Sequence, residues 1–186
     1  MKLKKLLVRS DELEKVIQTV FKFEFDDEPL RYTACRVICK VSIEHSQSLR
    51  ILIEQQNFAS SIALMRLQYE AVVRSIWVLY AASDIAVSKI TTELTFENEK
   101  KANKLPMLSE MIKQIDGKAP ALAVEMISEF KTVTWCTLGS YIHAGANVIH
   151  GYNQGYSLPQ IIQIIEMSNS LSTMTGMLLA NLSGYP

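Results

Sequence analysis

Three cysteines, Cys35, Cys39 and Cys136, are an odd number at no framework spacing, so this sequence is not a disulfide scaffold. Charge of one sign is lacking as well: 19 Lys and Arg balance 19 Asp and Glu. There is thus no overall field to draw in nucleic acid or an acidic membrane, and any polyanion must be met by a local cluster. No apolar run reaches the roughly 18 residues of a spanning helix, because Arg74 breaks the longest candidate. The N-terminus has none of the charged, apolar and small-residue order of a secretory signal, so the chain reads as cytoplasmic and not membrane-bound. Strand signals are scarce too. No alternating run flanks a hairpin dipeptide, and internal repeats and low-complexity tracts are missing.

The familiar chemical signatures are equally absent. The chain has no phosphate-binding Gly-rich loop ending in Lys-Ser or Lys-Thr, no dinucleotide fingerprint, no His-Glu-x-x-His pair and no nucleophile elbow. Cys35 and Cys39 lie one helical turn apart near His45, but two Cys without a second close pair read as buried free thiols, so neither metal nor cofactor is expected.

What is present is helical punctuation. The whole chain, 1–186, reads as one all-α domain, a single helical bundle. Ser10 with Asp11 and Glu12 predicts a short, peripheral N-terminal helix over 10–21. Pro29 opens a long second helix to about Gln55, with Ala34, Val37, Ile38, Val41, Leu49 and Leu52 as its apolar stripe. Ser83-Asp84 caps a weaker helix that fades into a mobile loop over 97–104. Pro106 and Pro120 open two more, the second running to about Thr134, and Ser157 with Pro159 starts the last, to about Leu182.

The segment near 57–83 stands out from these. Ile62, Met65, Tyr69, Val72, Val73 and Ile76 occupy one broad face and Leu64, Leu67, Ala71 and Val78 the other, and a helix apolar all round belongs at the centre of a bundle. Yet it carries Arg66, Glu70 and Arg74 at strict four-residue spacing, hence on one stripe. Unpaired charges are too costly to bury. The stripe is therefore either an internal ion-pair ladder or the wall of a cleft in which Glu70 orients guanidiniums toward phosphate or carboxylate.

A second unusual composition lies between Gly139 and Gly155, where Ser140-Tyr141-Ile142-His143-Ala144-Gly145 is followed by Asn147 and His150. It reads as a functional loop. His143 is the natural proton-transfer group, or else an imidazole that closes the loop by hydrogen bonding. Were the intervening segment helical, His143 and His150 would lie about 10 Å apart, too far to share a metal. Trp77 and Trp135 read as core or as stacking surfaces.

Together, the Arg-x3-Glu-x3-Arg-x2-Trp of Arg66, Glu70, Arg74 and Trp77 and the Tyr-x-His-x-Gly of Tyr141, His143 and Gly145 resemble a group of uncharacterised bacterial proteins. That group in turn resembles the HEPN (higher eukaryotes and prokaryotes nucleotide-binding) class of helical bundles. The resemblance, over about residues 30–182, implies a HEPN-like bundle and a homodimer. It also implies metal-independent cleavage of RNA in a bacterial stress, toxin-antitoxin or phage-defence system. HEPN ribonucleases carry an Arg a few residues from the His, whereas no Arg follows Arg74 here, so Arg66 or Arg74, or a second subunit, must complement His143. The roles so implied are His143 as acid or base, Arg66 and Arg74 as phosphorane stabilisers, Glu70 as their orienter, and His150 or Tyr141 as second proton shuttle. The alternatives are a non-catalytic homodimeric interaction module or antitoxin-like protein partner, and a sensor of a small anionic ligand.

Overall fold

The computed structural model of the chain describes residues 2–21, 28–93, 95 and 104–184. These form eight α-helices and no strand: α1 (Lys2–Val20), α2 (Leu30–Glu54), α3 (Phe58–Tyr80), α4 (Asp84–Thr91), α5 (Leu108–Ile115), α6 (Ala121–Ile142), α7 (Ala146–Gln154) and α8 (Leu158–Leu182). The expected loop over 97–104 lies outside the described residues except for Lys104. Among the described residues no helix is long and apolar enough to cross a membrane.

The central segment is α3. Ile62, Tyr69, Val73, Ile76 and Trp77 are all buried, because α3 packs against α2, α5, α6 and α8 together. Only Leu67 among its large apolar residues reaches 39 % exposure. The caps read from the sequence do their work at α4, where Ser83 Oγ accepts from Ala86 N, and at α8, where Ser157 and Gln160 form a reciprocal capping box.

Three expectations are corrected. Ser10 caps nothing: it is buried inside α1, where its Oγ donates to Leu6 O and accepts from Asn169 Nδ2. The helix spans Lys2–Val20 instead of starting at Ser10, and it is no peripheral addition, since it packs on α8 with Ile17 buried against Gly176. A Cβ at Gly176 would stand 3.0 Å from Ile17 Cγ1, so the glycine sets how closely α1 and α8 approach. On α2 the stripe is correct at Ala34, Leu49 and the Ser42 that shares its face, all buried, but rotated at Val37 and Val41. These face outward at 53 % and 40 % exposure, while Cys35, Cys39, Ser46 and Arg50 are buried.

That inward face is polar because it meets a polar face of α8. Ser42 pairs with Thr175 at 3.1 Å, and Ser46 reaches both Ser168 at 3.1 Å and Ser172 at 3.0 Å. Gln68 of α3 closes the network: its Nε2 donates to Ser168 O at 3.0 Å and Ser172 Oγ at 3.1 Å, and its Oε1 accepts from Ser168 Oγ at 2.7 Å. Small hydroxyls let three helices approach closely while every polar atom finds a partner. Arg50, also buried, binds Ser46 and Glu14 and so ties α1 to α2. The third correction concerns α6, which runs two turns beyond Thr134 to Ile142.

Gln68→Leu keeps the volume but removes three buried hydrogen bonds, leaving the Ser168 and Ser172 hydroxyls with Ser46 as their partner. Urea unfolding should show a loss of about 1–3 kcal/mol, from the buried hydrogen bonds removed. An unchanged midpoint would mean that the network contributes nothing.

Candidate functional site: a cationic seam between α3 and α6

Because α6 continues past Thr134, positions 131, 135, 139 and 143 form one stripe at four-residue spacing: Lys131, Trp135, Gly139 and His143. It lies against the stripe of Arg66, Glu70 and Arg74 on α3. Arg66 is the junction. Its Cζ stands 3.4 Å above the Trp135 ring centroid, its Nε donates to Glu70 Oε1 at 2.9 Å, and its Nη1 approaches Trp135 O at 3.5 Å. Nη1 would also be 3.1 Å from a Cβ at position 139, so Gly139 is what lets the guanidinium sit on the α6 backbone. Lys131 Nζ stands 5.5 Å from the same Trp135 ring. An indole flanked by two cations is a favourable, preorganised arrangement.

Along these two stripes three cations, Arg66, Arg74 and Lys131, face one carboxylate, Glu70. The seam is accordingly electropositive. Glu70 pairs with Arg66 alone, and Arg74 has a buried Nε with no hydrogen-bond partner among the described residues. The Arg66 and Glu70 side chains are 15 % and 29 % exposed, so the pair stands at the edge of solvent and is not sealed in the core.

His143 is exposed. It is the C-terminal residue closing α6, its backbone N bonded to Gly139 O, and lies one turn beyond the glycine that Arg66 touches. Arg66 is the α3 guanidinium that touches the α6 backbone one turn before His143. Arg74 lies two turns along α3 in the other direction, about 12 Å from Arg66 along the axis. The structure thus brings Arg66, Glu70 and Trp135 together, with His143 one turn further along α6 and Arg74 apart.

The expected loop from 139 to 155 is mostly helix. Ala144, at φ +50°, and Gly145 make a tight break between α6 and α7. Ser140 Oγ accepts from Asn147 N at 3.0 Å and its carbonyl from Gly145 N at 2.7 Å, so Ser140 caps α7 from the preceding helix. A Cβ at Gly145 would collide with Ser140 Oγ at 2.8 Å. Ser140, Gly145 and Asn147 therefore build the turn that fixes His143. His150 is exposed on the separate helix α7. Tyr141, two residues before His143, leaves α6 roughly 200° round the helix, on the far side from the seam. Neither shares the seam with His143.

Trp77 is core, 2 % exposed, with Nε1 donating to Gln114 Oε1 at 2.7 Å, whereas Trp135 floors the seam. Tyr69 stacks on Phe130 with centroids 4.6 Å apart and donates to Ile127 O at 2.6 Å, which locks α3 to α6 in the register that sets Arg66 over Trp135. Cys35 and Cys39 are buried free thiols; the adjacent Cys39 and burial push the Cys35 thiol up. Among the described residues no group of three His, Cys, Asp or Glu side chains is placed to hold a metal ion. Sequence reasoning missed Lys131 and took Gly139 for the start of a loop instead of the seat of Arg66, although the series 131, 135, 139, 143 was there to find once α6 was allowed to run through a glycine.

The model of a family of unknown function, DUF6988, matches residues 39–186, from the middle of α2 to the C-terminus. The chain belongs to that family. Both stripes of the seam lie within the matched DUF6988 region. No curated protein and no solved structure matches the chain.

Glu70→Ala releases a single guanidinium at a partly exposed site. It should cost about 1 kcal/mol, in the range of exposed ion pairs, rather than the 3–5 kcal/mol of a sealed charge network. A loss above about 3 kcal/mol by denaturant titration would show that the seam is closed to water.

Proposed function

We propose that the α3–α6 seam handles phosphodiesters, as a HEPN-like, metal-independent endoribonuclease of a bacterial stress or phage-defence system acting on cytoplasmic RNA. What supports the reading is a fixed Arg66 seated on the α6 backbone at Gly139, one helical turn before an exposed His143. A guanidinium clamped by Glu70, Trp135 and Gly139 loses little further freedom when it meets an anion, and a planar fork matches a phosphate's oxygens. In this reading His143 takes the proton of the ribose 2′-hydroxyl. The 2′-oxygen then attacks phosphorus, the bond to the 5′-oxygen breaks, and that oxygen leaves with a proton from water, giving a 2′,3′-cyclic phosphate. Arg66 stabilises the charge that builds on the phosphorane, and Lys131, three turns before His143, extends the cationic stripe along the strand. Arg74 is too distant to touch the same phosphate and fits the next one along a strand. Glu70 positions Arg66, and His150 and Tyr141 have no part.

We propose also that the chain forms a homodimer through the groove between the start of α6 and the end of α8. A cavity of about 310 Å³ opens there among Leu122, Met126, Met174, Met177 and Leu178, with no ionisable group but the neutral Tyr80 in its lining. Leu122 and Met177 stand 61 % and 60 % exposed beside it. An uncharged groove needs an apolar occupant, and a second copy offers the same patch to a two-fold axis.

His143→Ala should lower RNA cleavage in EDTA-containing buffer by about 10² to 10⁴, the share general acid–base groups contribute, with no change in melting temperature. Arg66→Ala should match it. No cleavage by the unmodified chain would leave the homodimeric interaction module as the surviving reading. In sedimentation, the unmodified protein should run as a dimer and Met177→Glu as the 21.0 kDa monomer; a monomer in both would remove the proposed interface.

A further inference from the structure

Helices α6 and α8 both pack on α3 but scarcely on each other, so an open trough runs between them. Beyond the end proposed for the dimer it continues as two joined cavities of about 340 and 240 Å³, which share Val133, Gln163 and Met167. From Met126 to Tyr141 this stretch is about 22 Å long, the length of about four helical turns. Ile62 and Met65 of α3 form part of its floor. The two walls have the same period: Met126, Phe130 and Val133 on α6 face Gln163, Met167 and Ser170 on α8, each series stepping by four residues and then three. Val133 lies open in the middle, 65 % exposed.

The charge along this stretch is of one sign. Glu129, on the α6 rim, is the single Asp, Glu, Lys, Arg or His among the described residues that line the two cavities. Glu166, exposed and one turn from both Gln163 and Ser170, stands on the α8 rim. No Lys or Arg occurs in α8, and Lys131, the one cation of α6, turns to Trp135 on the opposite flank. Four of the chain's eight methionines, Met65, Met126, Met167 and Met174, line the two cavities, and their unbranched side chains adapt to large apolar groups that enter. We propose that this stretch of the trough is a docking site for one basic amphipathic α-helix of a protein partner, about four turns long. Apolar anchors of such a helix, at three- and four-residue spacing, enter between walls of the same period. Lys or Arg at the two edges of its apolar face then meet Glu129 and Glu166. A second copy of the chain suits the other end of the trough, which carries no charge, but a two-fold contact centred here would set acidic rim against acidic rim. The docking site is independent of the seam, which lies on the other flank of α6.

The test is titration of the full chain into a fluorescent peptide of about 16 residues, with Leu on one helical face and Lys on the other, followed by anisotropy. One control peptide has the same residues in scrambled order, and another has Glu for every Lys. The patterned Lys peptide should bind in the micromolar range and both controls about tenfold more weakly. In the chain labelled at its methionine methyl groups, it should move the Met65 and Met167 resonances and leave Met107, 73 % exposed on a separate surface, still. Reversing both rims, Glu129→Lys with Glu166→Lys, should weaken the Lys peptide about fivefold to tenfold and strengthen the Glu peptide, as two exposed ion pairs would. Both positions are exposed, as is Val133, so these variants keep the fold; Val133→Asp should abolish binding. Equal binding of the scrambled peptide, unmoved Met65 and Met167 methyls, or indifference to rim reversal would each overturn the assignment. So would a Lys peptide that does not bind; if Val133→Asp then splits a dimer into monomers, this stretch belongs to a second copy.

Discussion

The bundle is organised by a helix that has almost no face to give to water. With Ile62, Tyr69, Val73 and Ile76 buried on one face and Ala71 and Val78 on the opposite one, α3 can be covered only if α2, α5, α6 and α8 surround it. Once that is satisfied, the few polar residues on α3 have restricted fates. Gln68 faces α8 and must be bonded in full, which the serines of α2 and α8 accomplish. Arg66 and Glu70 lie on the face where α6 crosses, and there the cover is incomplete. The seam is the place where the demand to bury α3 meets charges that resist burial. Trp135 resolves the conflict by giving the guanidinium an aromatic face in place of part of its water.

The same constraint explains why α6 has two characters. Its sequence is largely apolar, yet Ile127, Thr134 and Leu138 are its only buried residues. The helix touches α3 along a single line and leaves one flank to the seam and the other to the cavities beside α8. A helix with that much apolar sequence and so narrow a contact is suited to receive ligands or partners on its free flanks. The two flanks differ in kind: Lys131 and the Arg66 seated on Trp135 make one cationic, while Thr134, Thr137 and Tyr141 make the other neutral.

Sequence made α3 and α8 legible because their signals are redundant: apolar density in one, and a Ser157–Gln160 box with Pro159 followed by isoleucines in the other. It misled wherever burial is not apolar. Val37 and Val41 looked like core, but the interior face of α2 carries, beside Ile43, Leu49 and Ile53, the hydroxyls of Ser42 and Ser46 and the guanidinium of Arg50, whose burial depends on partners more than a hundred residues away on α8 or on α1. Ser10 looked like a cap because a serine before two acids is a local pattern, whereas its real partner, Asn169, is a tertiary one. The site was half visible. The α3 stripe is a property of one helix, but its meaning required knowing that α6 does not stop at Thr134.

Gly139 shows why that extension was hidden. Glycine within a helix normally weakens it by about 1 kcal/mol relative to alanine and reads as a stop. Here it is the contact point for Arg66, so its missing side chain is a tertiary requirement expressed as a local defect. The same holds at Gly151, which yields its space to Tyr156, and at Gly176, which yields to Ile17. In each case a helix gives up intrinsic stability so that a large side chain from another element can lie on its backbone. One of those three side chains, Arg66, is the one on which the seam is built.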